Sequence, residues 1–493
     1  MAKSKEMDVK VKFGLKSFIT VVAILIAVLL FVGVLTYVIP AGRYTIYTTD
    51  EELAKLPFYE YTADESLNKQ IVIDSYRELT DEENSSRLPV WRWFTSPFEA
   101  MIWGSNSSNM LMIIALLLVL GGTFKVLEES GGLVSLVRVI MVKHQAKRFV
   151  AIWVITGVIM ILSAVFGLQE QLLILYPVFA MLCTALNWSR FTAISFVLIA
   201  SGVGFTTAIT NPLTIGTASI AAGVSVTDGL WYRCIIFCVM YVITSMFLVR
   251  LAKRDEKLAT EKFDVESFVM VTEDEHHDDI RKAKMIVVLF SIALLSVIIT
   301  TSIESLRSLA MVFMAVAFIV GTVIIGKLLL GTYKHLGLSF VKGVKDVLPS
   351  IVIIMIAFGI TYIAQQGNIL HTIFHYFYNS VTNISPYLAV IILYVFVLIV
   401  EFFIPSASAK AVLIIPMLTL APIEGISKTV IILTYLFADG YTNVLYPTCG
   451  TLLVGLGLAD VSFAEWFKKT IVFQIILFVL SLAFLMLAVF IGL

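Results

Sequence analysis

The sequence predicts an all-α polytopic membrane protein of about nine spans and two re-entrant hairpins, built from an inverted-topology repeat. Of the 493 residues, 59% are hydrophobic and 14% are charged, and apolar runs of roughly 18 or more residues recur along the chain, as spanning helices require. Two of these segments, Gly204–Gly223 and Gly440–Gly457, are interrupted by polar residues and helix breakers. Basic clusters alternate with the apolar runs, so the excess of Lys and Arg on the cytoplasmic side indicates a topology.

The first half is predicted to begin in the cytoplasm, because five lysines lie within the first 16 residues. Its predicted elements are span 1 (Phe18–Ile39), an acid-rich outer segment (Pro40–Trp103), span 2 (Asn109–Leu127), a hairpin (Phe149–Asn187, tip Phe166–Gln171), a broken span 3 (Phe191–Val226) and span 4 (Leu230–Leu251). The hairpin follows from charge. If Phe149–Phe166 crossed fully, the basic cluster at 250–257 would lie outside.

The second half follows a charged segment, Lys253–Lys284, which is predicted to be a cytoplasmic linker. Its His276-His277 pair suggests either a metal site or, as we prefer, a solvated loop. The predicted elements are span 5 (Met285–Thr301), span 6 (Leu309–Ile325), span 7 (Ser350–Ala364), a hairpin (Leu388–Glu424, tip Ile404–Ala409), a broken span 8 (Thr429–Leu458) and span 9, ending outside at Leu493.

The two halves are predicted to be copies of each other. Gly204 and Gly440 differ by 236 positions (440 − 204), and Pro212 and Pro447 differ by 235 (447 − 212). Five crossings separate span 2 from span 7, so the copies face opposite ways. The predicted organisation is a first repeat (1–252), the linker (253–284), a connecting span (285–308) and a second repeat (309–493).

The two interruptions predict a binding site in the middle of the membrane. Pro212 removes a backbone donor and disfavours helix at Asn211. Backbone freed in this way is tolerated in hydrocarbon only where it lines a cavity or binds something, and matched interruptions in two halves point to a transporter's site. We therefore expect a secondary carrier. A channel is the alternative, and an enzyme is not expected because no HExxH, GxSxG or paired-Asp motif is present.

Three pieces of the sequence resemble the YfcC/DcuC group of C4-dicarboxylate and arginine/ornithine carrier-like proteins. They are GFTTAITNP, IPSASAKAVLIIP and FADGYTNVLYPTCG, and the likeness extends from Ile39–Gly42 to Phe463–Lys468. The group belongs to the ion-transporter superfamily, with the AbgT and divalent-anion/sodium symporter families. The resemblance implies an elevator-type carrier, usually a homodimer, whose hairpin tips and broken helices form the substrate site. In two places the chain departs from its relatives. The second tip, usually PSGSGQ, reads Pro405-Ser406-Ala407-Ser408-Ala409-Lys410, and the first tip, which usually has adjacent acids, reads Gln169-Glu170-Gln171.

Four charged residues in apolar surroundings are candidates for transport chemistry, because intramembrane charge is costly. Glu170 at the first tip could pair with a substrate cation or hold a proton, or it could be structural. Lys410 could bind a carboxylate, or its ammonium could occupy the place of a coupling cation, or it could form a salt bridge with Asp439 or Glu401. Asp439 could hold a proton or pair with Lys410, and Glu401 could be structural.

Polar side chains at the tips and interruptions could bind substrate or coupling ion, or they could only repair the broken backbone. The substrate candidates are Gln169, Glu170, Gln171, Thr210, Asn211, Ser406, Ser408, Lys410, Asn443 and Thr448. The candidates for ion or proton coupling are Glu170, Asp439, Thr206, Thr207 and Thr442. The four cysteines, Cys183, Cys234, Cys238 and Cys449, are predicted to be small core residues rather than disulfides or metal ligands.

The sequence therefore favours a symporter or antiporter of a small charged metabolite in the plasma (inner) membrane. The leading substrate is an amino acid, including the basic ones, and the alternative is a C4-dicarboxylate. We expect Na⁺ or H⁺ as the coupling ion, no cofactor and no resident metal. The expected partners are the substrate, the lipid bilayer and a second copy of the chain, and the net charge of zero indicates no nucleic-acid partner.

Overall fold

A computed structural model describes residues 15–47, 60–62, 70–104, 107–144, 147–258, 272–303, 306, 309–381, 384–404, 407–420 and 423–493. Within these ranges, ten helices are long and apolar enough to cross a membrane. Eight of them coincide with predicted spans 1 to 7 and span 9, and two with the first arms of the predicted hairpins. The prediction of an all-α polytopic membrane protein is confirmed.

The described residues of the first half form ten helices and a small sheet. The sequence did not predict the sheet. The helices are α1 (Leu15–Val38), α2 (Val90–Trp93), α3 (Ser96–Trp103), α4 (Ser107–Glu129), α5 (Gly132–His144), α6 (Arg148–Phe166), α7 (Tyr176–Ala185), α8 (Arg190–Thr207), α9 (Thr217–Ala222) and α10 (Leu230–Leu258). A 3₁₀ turn, Glu170–Leu175, precedes α7, and a π turn, Pro212–Gly216, precedes α9. The strands β1 (Gly42–Tyr47), β2 (Glu60–Thr62) and β3 (Gln70–Glu78) form a sheet in the order β2-β1-β3.

From residue 273 onward, the described residues form nine helices. Two helices, α11 (Glu273–Ser302) and α12 (Ala310–Leu330), connect the halves. The following helices are α13 (Tyr333–Gln366), α14 (Leu370–Val381), α15 (Pro386–Phe403), α16 (Ala407–Leu420), α17 (Lys428–Thr442), α18 (Gly450–Leu458) and α19 (Phe463–Phe490). The seven helices α13 to α19 equal α4 to α10 in number, as the predicted repeat requires. The inverted-topology repeat and its boundaries stay a prediction.

Both predicted interruptions are present. Helix α8 ends at Thr207, and Ala208 has a left-handed backbone with φ of 37°. The chain is then non-helical until the π turn begins at Pro212. In the second half, α17 ends at Thr442 and regular helix resumes at Gly450.

The helices pack in two groups. Helix α13 packs against α1, α3 and α4, and α12 packs against α4 and α11. In the other group α8 packs against α6, α7, α10 and α17, while α17 packs against α15, α16 and α19. The two halves interlock in this second group, because α16 packs on α9 and α18 contacts the 3₁₀ turn of the first tip.

Two expectations about exposure and linkers are corrected. The segment predicted as a linker is helical to Leu258 and again from Glu273, because charged residues extend both helices beyond their apolar windows. His276-His277 therefore lies in a helix rather than a loop, and residues 259–271 lie outside the described part. The core prediction holds for Cys183 and Cys449 but is wrong for Cys234 and Cys238, which are exposed on α10.

Candidate functional site

A cavity lies between the two groups of helices. Its lining consists of Ile113, Leu116, Leu117, Leu120, Gln169, Glu170, Leu173, Phe205, Leu213, Met311, Ile354, Ala357, Phe358, Thr361, Ala407, Asn443, Cys449, Gly450, Thr451 and Val454. The wall formed by α4, α12 and α13 is apolar except for Thr361. The opposite wall comes from both hairpin regions and both broken helices, and its polar residues belong to the first tip and the second interruption. The structure therefore brings together the segments that the sequence singled out.

Glu170 is the charged side chain of this cavity within the described part of the chain. It begins the 3₁₀ turn of the first tip, and Thr451, at the start of α18, lines the same cavity. The carboxylate thus lies between the first tip and the second interruption. A negative charge in a largely apolar cavity favours a cationic ligand.

The first tip is joined to the second interruption by an amide hydrogen bond. Asn443 Nδ2 donates to Gln169 Oε1 at 3.0 Å, and Cys449 Sγ donates to Asn443 Oδ1 at 3.5 Å. Gln169 Nε2 is buried and has no hydrogen-bond partner within the described residues. Gln171 is buried outside the lining, and its Oε1 accepts from the backbone N–H of Gln169 at 3.1 Å. Gln169 and Asn443 therefore face the cavity, whereas Gln171 shapes the tip.

Lys410 is held in a buried ion triad with Glu401 and Asp439. All three side chains are almost completely buried, with exposures of 0%, 1% and 0% respectively. The Lys410 ammonium donates to Glu401 Oε2 and, at 2.6 Å, to Asp439 Oδ1. Thr442 also donates to Glu401 Oε2, at 3.3 Å. Of the alternatives for Lys410, the structure displays the salt bridge with both acids. None of the three residues lines the cavity.

The polar residues of the first interruption mainly satisfy backbone groups. Thr206 and Thr207 donate to the carbonyls of Gly202 and Gly204. Thr210 is exposed and donates to Val165 O. Asn211 Oδ1 accepts from Leu213 N at 2.9 Å, so Asn211 caps the π turn. Asn211 Nδ2 has no partner in the part of the chain that is described.

The remaining candidates divide between the second interruption and the second tip. Thr448 is buried and its hydroxyl has no hydrogen-bond partner within the described ranges. Thr442 joins the ion triad. Ser406 lies outside the described residues, and Ser408 lies in α16 with its side chain outside them.

Sequence reasoning missed the residues that hold the freed carbonyls of both interruptions. Arg233 in α10 is buried and donates to Ile209 O at 3.2 Å. In the other half, Trp466 Nε1 and Gln474 Nε2 of α19 donate to Val444 O at 2.9 and 3.2 Å. The two carbonyls are 235 positions apart (444 − 209), and Arg233 and Trp466 are 233 apart (466 − 233). The nearly equal offset of hydrogen-bond donors in the helix after each interruption was the signal that could have revealed them.

Comparisons with known proteins identify the family of the chain. The model of the C4-dicarboxylate anaerobic carrier family, DcuC, matches residues 17–490. An Escherichia coli K12 protein named "Putative basic amino acid antiporter YfcC" is 23% identical, covering 92% of this chain and 94% of its own length. A Haemophilus influenzae protein described as uncharacterized is 24% identical, with 94% and 95% covered.

Two solved transporters resemble the chain more distantly. Alcanivorax borkumensis YdaH has a TM-score of 0.43 at 14% identity, covering 97% of this chain and 99% of that one. Neisseria gonorrhoeae MtrF has a TM-score of 0.46 at 14% identity, with 95% of both chains covered. Neither similarity is needed for the assignment, because the family model matches almost the whole chain. The protein is a membrane transporter that belongs to the C4-dicarboxylate anaerobic carrier (DcuC) family.

Proposed function

We propose that this transporter is a secondary active antiporter of amino acids that recognises basic ones such as arginine and ornithine. The observation that supports this most directly is the charge of the cavity. Glu170 faces it, whereas Lys410, on which binding of a substrate carboxylate would depend, is buried in the triad. A cationic side chain would be paired with Glu170, while a dianion would meet only repulsion there.

The other end of a basic amino acid also finds suitable groups. Its α-carboxylate would be placed at the start of α18, where Gly450 lines the cavity. Backbone N–H groups at a helix N-terminus attract anions. The aliphatic stem of the substrate would pack on the leucines and Phe358 of the apolar wall. Gln169 Nε2, which has no hydrogen-bond partner within the described residues, offers a further amide donor at the cavity.

The arrangement of the walls supports an elevator mechanism. The polar wall comes from the hairpins and broken helices, which pack together, and the apolar wall comes from α4, α12 and α13. In the proposed cycle the group that contains the hairpins and broken helices moves with its cargo against the group that contains α4, α12 and α13. We further propose a homodimer in the plasma (inner) membrane with a cytoplasmic N-terminus and an outer C-terminus. In this proposal Na⁺, H⁺ or the counter-substrate drives transport, and the transporter uses no cofactor.

A C4-dicarboxylate is the second candidate, and the family description favours it. The name of the Escherichia coli relative favours a basic amino acid. Charge separates the two candidates, because removing the Glu170 carboxylate would reduce uptake of a cationic substrate and would not reduce uptake of a dianion.

The test is exchange by purified protein in liposomes loaded with unlabelled ornithine. We expect wild-type protein to take up labelled arginine. Uptake by Glu170→Gln should be lower by a factor of about ten or more, since a hydrogen bond to a charged group contributes about 1.5–3 kcal/mol. Glu465→Gln is the matched control, because Glu465 is an acid of α19 outside the cavity, paired with Lys469.

The outcomes distinguish the candidates. Arginine uptake that survives Glu170→Gln would refute the proposal. Uptake of labelled succinate, unaffected by Glu170→Gln, would support the dicarboxylate instead. Uptake that is not stimulated by internal substrate would indicate a channel.

A further inference from the structure

The buried triad of Glu401, Lys410 and Asp439 has the composition of a cation site that is already filled. Two carboxylates enclose one ammonium, and the net charge of the three groups is −1 (two acids against one base). The acids come from α15 and α17, so the cation joins the first arm of the second hairpin to the second broken helix. Removing the cation would leave two carboxylates together in a dry environment, which costs several kcal/mol per ion.

Oxygen atoms around the ammonium could coordinate a metal cation if the ammonium were absent. Besides the two oxygens that accept from Lys410, Glu401 Oε1 and Asp439 Oδ2 are buried and have no hydrogen-bond partner within the described ranges. The Thr442 hydroxyl adjoins Glu401 Oε2. The non-helical backbone of the second interruption begins one residue later, and unwound carbonyls and carboxylates are the usual ligands of coupling Na⁺ in transporters.

We propose that Lys410 is a tethered substitute for a coupling cation, and that this half of the transporter therefore works without binding Na⁺. This inference rests on the proposed transport function. An ammonium attached to the chain cannot leave on either side of the membrane, so the site is never emptied and refilled during a cycle. It keeps the hairpin and the broken helix together without coupling transport to a Na⁺ gradient at this position.

Shortening the lysine should convert the triad into a real Na⁺ site. Lys410→Ala removes the ammonium and leaves both carboxylates and a space for a cation. Melting of purified protein in detergent is measured in NaCl and in choline chloride at equal ionic strength. We expect the melting temperature of Lys410→Ala to be at least about 2 °C higher in NaCl, since a ligand bound only by the folded state stabilises it. Wild-type protein should melt at the same temperature in both salts, or show a clearly smaller difference.

Two controls separate a site effect from a general salt effect. Lys428→Ala removes an exposed lysine of α17 that donates only to a carbonyl, Ala222 O, and it should behave as wild type. Lys410→Ala with Glu401→Gln and Asp439→Asn lacks both carboxylates and should lose the Na⁺-specific shift.

The proposal is overturned if Lys410→Ala responds to NaCl no more than wild type does. If that variant is not recovered, Lys410→Ala/Asp439→Asn restores the net charge of −1 and should show the Na⁺-specific shift through Glu401. Absence of the shift in that recovered variant overturns the proposal equally. Because melting requires no substrate, either result is independent of the outcome for Glu170→Gln.

Discussion

At the scale of residues, the freed carbonyls of the two interruptions are held by side chains of the next helix. Ile209 O accepts from Arg233, and Val444 O accepts from Trp466 and Gln474. A buried carbonyl without a donor costs about 1–3 kcal/mol. The gaps in the helices are therefore fixed in place by neighbouring donors as well as by the side chains within them.

Removing both donors of Val444 O should destabilise the protein more than the single changes suggest. Trp466→Phe leaves Gln474 as a donor and should lower the unfolding free energy by about 1 kcal/mol, and Gln474→Leu should do the same. The double variant leaves the carbonyl without either donor, so its loss should exceed the sum of the two. Thermal melting measures all three. Trp231→Phe, at a tryptophan 58% exposed, should change little, and a double variant equal to that control would contradict the role assigned to these donors.

The sequence identified the charged residues of the site and named Asp439 and Glu401 as possible partners of Lys410, but it could not choose between that salt bridge and the other roles of Lys410. Glu170, Lys410 and Asp439 were conspicuous because charge is rare and costly in apolar segments. Lys410, however, contacts an acid nine positions before it and another 29 positions after it. Which of these contacts forms depends on how α15, α16 and α17 pack, and a pattern along one chain does not contain that information.

At the scale of elements, the two broken helices approach so closely that one contact admits only glycine. A Cβ atom at Gly440 of α17 would collide with backbone and side-chain atoms of Thr206 in α8. Gly204 is similarly close to Met160 of α6, where its Cβ would meet the Met160 carbonyl oxygen at 2.6 Å. Helices that meet through glycines in this way gain contact over their backbones.

Gly440→Ala should therefore be harmful where another glycine substitution is not. The added methyl would separate α17 from α8, and such overpacking costs about 1–3 kcal/mol. We expect a lower melting temperature and reduced transport. Gly216→Ala is the control from the first interruption, because its Cβ would have only ordinary contacts at 3.6 and 3.7 Å. Equal melting temperatures for the two variants would show that the contact at Gly440 is not tight.

The interruptions were predictable because Pro, Gly and polar residues lie in the middle of apolar segments and break a helix there. Hydrocarbon offers the freed backbone no hydrogen-bond partner, so such residues are conspicuous. The lengths of several helices were not predictable. Helix α13 runs for 34 residues, whereas the prediction covered only Ser350–Ala364. The prediction followed the apolar window, and the helix also includes the preceding segment, which carries charged residues. The sheet was missed for a related reason, since its short strands lie in a segment dominated by acids.

At the scale of the whole molecule, the sheet is attached to the second half through α14. His371 Nδ1 accepts from the backbone N–H of Tyr44 in β1 at 3.1 Å, and Tyr76 of β3 donates to Thr372 at 2.9 Å. Helix α14 is not among the helices long enough to span the membrane. Burial, with a smaller effect of the positive charge on Arg43, lowers the pKa of His371 to about 3.

This attachment predicts an acid-sensitive fold. Because the pKa of His371 is depressed in the folded state, the unfolded chain binds a proton below about pH 6.5 that the folded chain does not. Stability therefore falls as the pH decreases from 6.5 toward 3, by about 2 kcal/mol at pH 5. His371→Asn keeps a hydrogen-bond acceptor, and its melting temperature should fall less between pH 7.5 and pH 5 than that of the wild type. His277→Asn, on the exposed side of α11, should retain the wild-type pH dependence, and the same dependence in His371→Asn would refute the assignment.

The apolar wall of the cavity has a consequence for the empty carrier. If α4, α12 and α13 stay fixed while the other wall moves, a transporter without substrate must move the charged Glu170 carboxylate past leucine and phenylalanine side chains. No bound cation would then neutralise that charge. A bound cationic substrate neutralises the Glu170 carboxylate and removes the free-energy cost of moving an unpaired charge through apolar surroundings. The transporter would then return rapidly only with substrate bound. One-for-one exchange would follow from the apolar wall itself, without a separate gating element.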